Sequence, residues 1–154
     1  MKPGRSLHRQ KGSELVEFAI SATLLFLLLF GIIEFSVALF DKATLTNATR
    51  EGAREGILFR TGDRALADMP TTEDVLITQA IEGYADSYLI SLGGPAELAV
   101  DIQRNDRNGN GNFDAGDDLT VSVDYPYQFL VLPGFMVGLG DVLTLSSTTV
   151  MRAE

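Results

Sequence analysis

The chain has 154 residues with 12 basic and 21 acidic side chains, a formal charge of −9, one histidine and no cysteine. So acidic a chain is not expected to have nucleic acid as a partner, whose phosphates it would repel. The absence of cysteine removes disulfides, thiol catalysis, thiolate zinc sites and thiol acylation, so an exported domain must be held by packing, assembly or bound ions.

The chain begins with a basic segment, Lys2, Arg5, Arg9 and Lys11, that contains no acidic residue. By the positive-inside tendency this segment stays in the cytoplasm. Gly12 and Ser13 follow, then Glu17-Phe18 at the mouth of an uncharged, strongly apolar run that ends at Ile33. A carboxylate at the start of a membrane helix costs on the order of 2.5 to 3.5 kcal/mol at the bilayer centre and less near the interface, so it calls for a functional partner. The run is about 24 Å long at 1.5 Å per residue, short of a hydrocarbon core of about 30 Å. Extending it through Phe35, Val37, Ala38, Leu39 and Phe40 reaches full width. Glu34 then lies near the outer interface, where it snorkels or faces a partner helix.

Three readings of this N-terminus compete. A secretory signal peptide would be cut after the small-x-small pattern Ser36-Val37-Ala38, although the apolar run is long for one and Glu34 sits beside the cut. An uncleaved signal anchor accounts for the helix and its orientation but not for the glycine and the Glu-Phe pair. The third reading rests on spacing: Gly12, four residues, Glu17-Phe18 and a hydrophobic helix resemble the processing site of type IV prepilins and pseudopilins. The resemblance implies a prepilin peptidase that cuts between Gly12 and Ser13. It also implies an assembly role for Glu17, whose carboxylate would neutralise the free N-terminal amine of a neighbouring subunit in a poorly hydrated site. Such a cut removes four of the twelve basic residues and none of the 21 acids, taking the formal charge from −9 to −13.

Asp41 to Leu58 contains no proline and continues the helical pattern. Ala48, Gly52 and Gly56 recur every four residues beside Ala53, and small residues at that spacing admit another backbone. Two glycines inside a helix cost about 1 kcal/mol each relative to alanine, so this is a packing stripe, for a neighbouring subunit or for the chain's own sheet. The run Thr46-Asn47-Ala48-Thr49-Arg50-Glu51-Gly52-Ala53-Arg54-Glu55-Gly56, together with the second Glu-Phe pair at Glu34-Phe35, resembles TadE-like minor pseudopilins of the Flp (tight adherence, Tad) pilus system. Asp124-Tyr125-Pro126 and the C-terminal Leu143-Thr144-Leu145-Ser146-Ser147-Thr148-Thr149-Val150-Met151-Arg152-Ala153-Glu154 fit the same family. The resemblance implies a small single-pass protein of the cytoplasmic membrane, N-terminus inside and C-terminal domain outside. Its implied partners are membrane lipid, other pilins or pseudopilins and the pilus assembly platform. Major Flp pilins are little more than the helix and a tail, so a chain with a full domain points to a minor subunit.

Residues 61–72 read as a connector, broken by Gly62, Asp63, Asp68 and Pro70. Thr71 or Thr72 can cap a second helix, with Glu73 and Asp74 complementing its dipole. Its apolar stripe is Ile77, Ala80, Ile81, Tyr84 and Tyr88, and Gly93-Gly94-Pro95 ends it. Period-two alternation then predicts two strands, Leu98-Val100-Ile102 and Leu119-Val121-Val123-Tyr125, joined as an antiparallel hairpin, with a third from Val142 to Val150. The expected fold is α+β: a basic leader at 1–12, a long transmembrane and pilin-like helix over 13–60, and over 61–154 a small domain of one further helix on an antiparallel sheet of about three strands.

The hairpin loop carries the other chemical signal. Asp106, Asn108, Asn110, Asp114 and Asp117 occupy positions 1, 3, 5, 9 and 12 of a twelve-residue segment, with Gly111 at position 6 and the Asn112 carbonyl at 7. That spacing wraps oxygens about 2.3 to 2.6 Å from a Ca²⁺ ion, and it resembles the Asp-terminated calcium loops of dockerins. Asn at two ligand positions and the short Asp117 reduce charge and reach, which implies weak affinity on the order of 10⁻⁴ to 10⁻³ M. Alternatively, Asn108-Gly109 and Asn110-Gly111 simply make a hairpin turn. The apolar stretch from Phe129 to Leu139 is too short to span a bilayer; it fills the core or offers a patch to a pilus partner or the membrane surface. With the single histidine in the leader and no cysteine, no catalytic constellation is evident, and an enzyme is not expected. The readings are a minor pseudopilin or, alternatively, a membrane-anchored calcium-binding or adhesive module outside any filament.

Overall fold

The computed structural model describes residues 8–58, 64–69, 72–91, 97–129 and 142–153, with side chains from Gly12 onward. Lys2, Arg5, Gly62, Asp63, Pro70, Thr71, Gly93-Gly94-Pro95 and the stretch from Leu130 to Leu139 lie outside the described residues. Helix α1 spans His8–Ile57 without a break and helix α2 spans Thr72–Tyr88; between them Leu66–Asp68 makes one 3₁₀ turn. Strands β1 (Ala99–Asn105), β2 (Asp118–Gln128) and β3 (Val142–Arg152) form an antiparallel sheet in the order β1-β2-β3. The α+β expectation holds, element for element.

The central strand supplies more of the core than any other element. Leu119, Val121, Val123, Tyr125 and Tyr127 are all buried, as a period-two face must be when a helix covers it. Ala99 pairs with Asp124 and Asn105 with Asp118, so β1 covers only the first part of β2, whereas β3 pairs along its whole length, Asp118 with Arg152 through Gln128 with Val142. From α1 the core takes Ala38, Leu45, Ala48 and Ala53; from α2 it takes Ile77, Ile81 and Ala85. Tyr88, expected in the apolar stripe of α2, is instead exposed. The stripe drifts by a residue toward the helix end and Ala85 takes the inward position, leaving Tyr88 to pack on Tyr84, with ring centroids 4.7 Å apart.

The glycine stripe packs within the chain. A Cβ on Gly52 would sit 2.7 Å from Ile81 Cδ1 and 3.3 Å from the Ile77 carbonyl oxygen, and one on Gly56 would sit 2.7 Å from Ile77 Cδ1 and collide with Leu119. The small residues therefore let α2 and β2 approach α1. Thr49 and Ser147 add a buried hydroxyl–hydroxyl hydrogen bond of 2.7 Å between α1 and β3.

β2 runs antiparallel to α1, with Leu119 beside Gly56 and Tyr127 beside Glu34. This corrects the placement of Glu34. The Tyr127 hydroxyl donates to Glu34 Oε1 at 2.7 Å, and the carboxylate is 2 % exposed, so it is covered by the chain's own sheet. Ala38 is buried and Val37 is packed against the core, so neither faces lipid as the extended span required. Burial first, and then the hydrogen bond to Glu34, push the Tyr127 hydroxyl up, which keeps it a donor.

Asp41 lies two turns further along α1 and is fully buried. Its Oδ1 accepts the Ile90 backbone N–H at 2.9 Å, and Oδ2 has no partner among the described residues. Burial raises its carboxyl above the usual range, against the lowering effect of the Ile90 N–H. A carboxyl that holds its proton more tightly when folded contributes stability that is complete at low pH. That contribution is lost as pH rises from the unfolded pKa through the raised folded one. Asp41→Asn keeps the shape and removes the buried charge, so it should raise the urea midpoint of the full chain at pH 7, with the advantage shrinking toward pH 3. A lower midpoint at pH 7 would contradict this assignment.

Candidate functional site

The first candidate site is the N-terminal third of α1. Gly12, Ser13, Glu17 and Phe18 are all helical and all exposed, Phe18 to 73 %, and a Cβ at Gly12 would meet nothing within 4 Å. Among the described residues, no part of the folded domain covers them. Because α1 starts at His8, the Gly12–Ser13 peptide bond lies in its second turn. A protease needs that backbone extended, and glycine, about 1 kcal/mol less helix-favouring than alanine, eases the local unwinding. Beyond it Leu15, Ile20, Leu24, Leu25, Leu28 and Ile32 are exposed as well. A helix apolar on every side and covered by nothing suits a lipid environment. The stretch with span-like hydropathy, averaging 2.4 over its most apolar window, falls in this uncovered part of α1.

The second candidate site is the 106–117 loop. Asp106 acts as its hub: Oδ1 accepts the Gly109 N–H at 2.6 Å and Oδ2 the Gly111 N–H at 2.7 Å. These amide contacts, that of Gly111 foremost, hold the Asp106 carboxyl below its ordinary value. Asn108 Oδ1 accepts the Asn110 N–H, Asn110 Oδ1 accepts the Asn112 N–H, and the two side-chain amides donate to the two oxygens of Asp114 at 2.9 and 2.6 Å. Gly109 and Gly111 sit at φ of +75° and +82°, which side chains rarely adopt, so the alternating Asn-Gly sequence is what permits this coil. Asp117, expected at the last ligand position, is buried with its two oxygens engaged by the N–H groups of Arg107 at 2.9 Å and Asp114 at 3.0 Å. The asparagines thus do double duty, their carbonyls turning the backbone and their N–H₂ groups bridging Asp114. Among the described residues no three acidic or histidine side chains are grouped as a metal site.

Beneath the loop lies a cluster that sequence reasoning missed. Phe113 is buried with two guanidinium groups against its ring, Arg64 Cζ 4.6 Å and Arg104 Cζ 5.5 Å from the centroid. Arg64 pairs with Glu73 at 2.8 Å, and Arg104 pairs with Glu73 at 3.5 Å and with Asp74. The Leu66 N–H donates to the Gly111 carbonyl and the Phe113 N–H to the Arg64 carbonyl, both at 2.9 Å. Connector, loop, β1 and the start of α2 are tied at one point. Arg104 shares the parity of Val100 and Ile102, so its inward direction was legible; its partners, 30 residues away, were not.

No curated protein and no solved structure matches the chain. Residues 12–54 do match a family model, that of TadE-like proteins. The matched segment runs from the Gly12–Ser13 junction through the uncovered apolar run to the small-residue stripe, and this α1 segment is consistent with a TadE-like protein of the Flp/Tad system.

Proposed function

We propose that the protein is a minor pseudopilin that takes part in assembling a Flp/Tad-type pilus, and so in surface attachment. In this reading a prepilin peptidase cuts between Gly12 and Ser13, the chain crosses the cytoplasmic membrane once, and the C-terminal domain stands outside. Its partners are then other pilins or pseudopilins and the assembly platform. The observation that carries the reading is the coincidence of three boundaries. The family match begins at Gly12, the residues around that junction are exposed, and the uncovered apolar helix follows Glu17-Phe18 directly. Glu17 is the assembly carboxylate of this reading, available because the folded domain leaves it free of packing.

Mass spectrometry of the N-terminus after co-expression with a prepilin peptidase tests it. The expected mature chain starts at Ser13, and Gly12→Ala should prevent that cut. Glu17→Ala should be processed and inserted as the parent is, yet fail to support pilus formation. An intact leader, or a start at Leu39, would sink the reading.

The loop favours a second reading, a membrane-anchored module that binds calcium outside any filament. Asp106, Asn108, Asn110, Asn112 and Asp114 are tied into one coil, in which the Asn108 and Asn110 side-chain carbonyls accept the backbone N–H groups two residues on. Calcium would take Asp106, the asparagine carbonyls and Asp114, displacing the two amide bridges to Asp114, and Asp117 would keep the loop shut. Exchange of existing hydrogen bonds for metal contacts makes binding weak, on the order of 10⁻⁴ to 10⁻³ M. The melting temperature of the full chain should rise in millimolar calcium, fall back with chelator, and stop responding in Asp106→Ala. No calorimetric heat and no shift at millimolar calcium would remove the ion from the protein's function.

A further inference from the structure

The end of the sheet nearest the apolar run of α1 carries a surface that neither reading uses. The chain leaves β2 through Gln128 and Phe129 and re-enters the sheet at Val142, which pairs with Gln128. Both points lie beside Glu34 and Phe35, because Tyr127 is bonded to Glu34 and the Phe129 ring packs edge-on to Phe35 with centroids 6.2 Å apart. Exposed apolar side chains surround this end: Phe35, Leu39, Phe40 and Val142 are 48, 70, 48 and 43 % exposed. Between α1 and β3 runs an apolar groove of about 300 Å³, lined by Ala38, Leu39, Leu143 and Leu145 with Lys42 among its walls.

Charge is distributed just as unevenly. The described residues 125–129 and 142–151 contain no charged side chain, and Asp141, next to Val142 in the sequence, lies outside the described residues. On α1 from 34 to 42, Glu34 and Asp41 are buried and Lys42 is the exposed charge. The acidic loop with Asp106, Asp114, Asp117 and Asp118 lies at the opposite end of β2, roughly 34 Å away at 3.4 Å per residue. A domain this acidic would be repelled by an anionic lipid surface, and among the described residues the end beside Glu34 is where exposed apolar groups and a lysine adjoin the uncovered helix.

We propose that this end of the domain rests on the membrane face from which α1 emerges, with Phe35, Phe129 and Val142 at the acyl boundary, Leu39 and Phe40 in the headgroup layer and Lys42 reaching the lipid phosphates. The proposal rests on the single-pass reading of α1. The apolar collar is continuous with the uncovered side of the helix through Ile32 and Ile33, so lipid is the neighbour that α1 already brings to it. Since the sheet begins at Glu34, the hydrocarbon span ends near Ile33. The roughly 20 residues that a core of about 30 Å requires then reach back to about Glu14, with Glu17 just inside the inner boundary. Leu39 stands about 9 Å above Ile33, within the roughly 5 to 10 Å over which interfacial groups bury, and helical side chains lean toward the N-terminus, here toward the bilayer.

The chain has no cysteine, so single fluorophore sites can be placed in the full-length protein by Leu25→Cys, Val142→Cys and Asn108→Cys. Each is reconstituted in vesicles of phosphatidylcholine and phosphatidylglycerol that contain lipids spin-labelled high or low on the acyl chain. Position 142 should lose most of its fluorescence to the shallow quencher, position 25 to the deep one, and position 108 to neither. Leu39→Cys repeats the measurement from the helix side of the collar, should Val142→Cys disturb the sheet. Position 142 behaving like 108 while 25 is quenched overturns the proposal and leaves the span intact. Position 25 also unquenched means that the single-pass reading has failed, and the proposal falls with it. If the labelled 142 probe is unquenched and unlabelled Val142→Cys chains crosslink through a disulfide under a mild oxidant such as copper phenanthroline, this end is assigned to a second copy of the protein and lipid docking is overturned.

Discussion

Arg104→Ala is expected to destabilise the full chain by about 3 to 5 kcal/mol, the loss seen when one partner of a buried ion pair is removed. The Arg104 side chain is 4 % exposed and faces Glu73 and Asp74, themselves 10 and 16 % exposed, while its guanidinium covers one side of Phe113. Removing it leaves Asp74 without this cation and opens a gap beside the aromatic ring. Arg64 still holds Glu73. The penalty therefore belongs mainly to Asp74, and the double variant Arg104→Met with Asp74→Leu should recover a large part of it, since apolar replacements of a whole buried pair are often near neutral. Urea denaturation of the full chain in detergent measures both. A loss below about 1 kcal/mol for Arg104→Ala would place the pair with solvent-exposed ion pairs and refute its role as the joint between connector, loop and α2.

Gly56→Val should cost about 1 to 3 kcal/mol or more through overpacking, because the new side chain enters space held by Leu119 and Ile77. Both neighbours are fully buried, so neither can swing into solvent. Gly83 provides the opposite sign within one experiment. It sits in α2 with nothing within 4 Å of its missing Cβ, so Gly83→Ala should gain roughly 0.5 to 1 kcal/mol from reduced unfolded-state freedom and better helix propensity. Equal tolerance of both substitutions in melting temperature would show that α1 and α2 are not in close contact at Gly56.

The fold was largely legible because each element has a strong local period. Leu119, Val121, Val123 and Tyr125 alternate with polar residues, and the structure buries all four. The uncovered apolar run of α1 needed only hydropathy and length. The sites were legible in part. Gly12, Ser13, Glu17 and Phe18 lie on an accessible stretch of helix, and the family match starts at the same glycine. The loop spacing predicts a coil that wraps oxygens around a cation, but not that Asp106 would accept the Gly109 and Gly111 N–H groups, that asparagine amides would bridge Asp114 or that backbone N–H groups would occupy Asp117. A pattern of ligand positions states which oxygens are near one another, and the hydrogen bonds they make depend on side-chain rotation.

By itself the sequence determined that one long helix carries an uncharged apolar run next to a basic N-terminal segment, that a hairpin and a third strand follow, and that small residues line one face of α1. These are local properties, set by periodicity, charge and residue size within a few turns. Only the tertiary structure decided that Gly52 and Gly56 receive α2 and β2, that Arg104 meets Glu73 and Asp74, and that Glu34 lies under Tyr127 at the foot of the sheet. Each joins residues far apart in the chain, and a buried carboxylate or a missing Cβ looks the same in sequence whichever neighbour satisfies it. Desolvation and close packing choose that neighbour once the sheet closes on the helix.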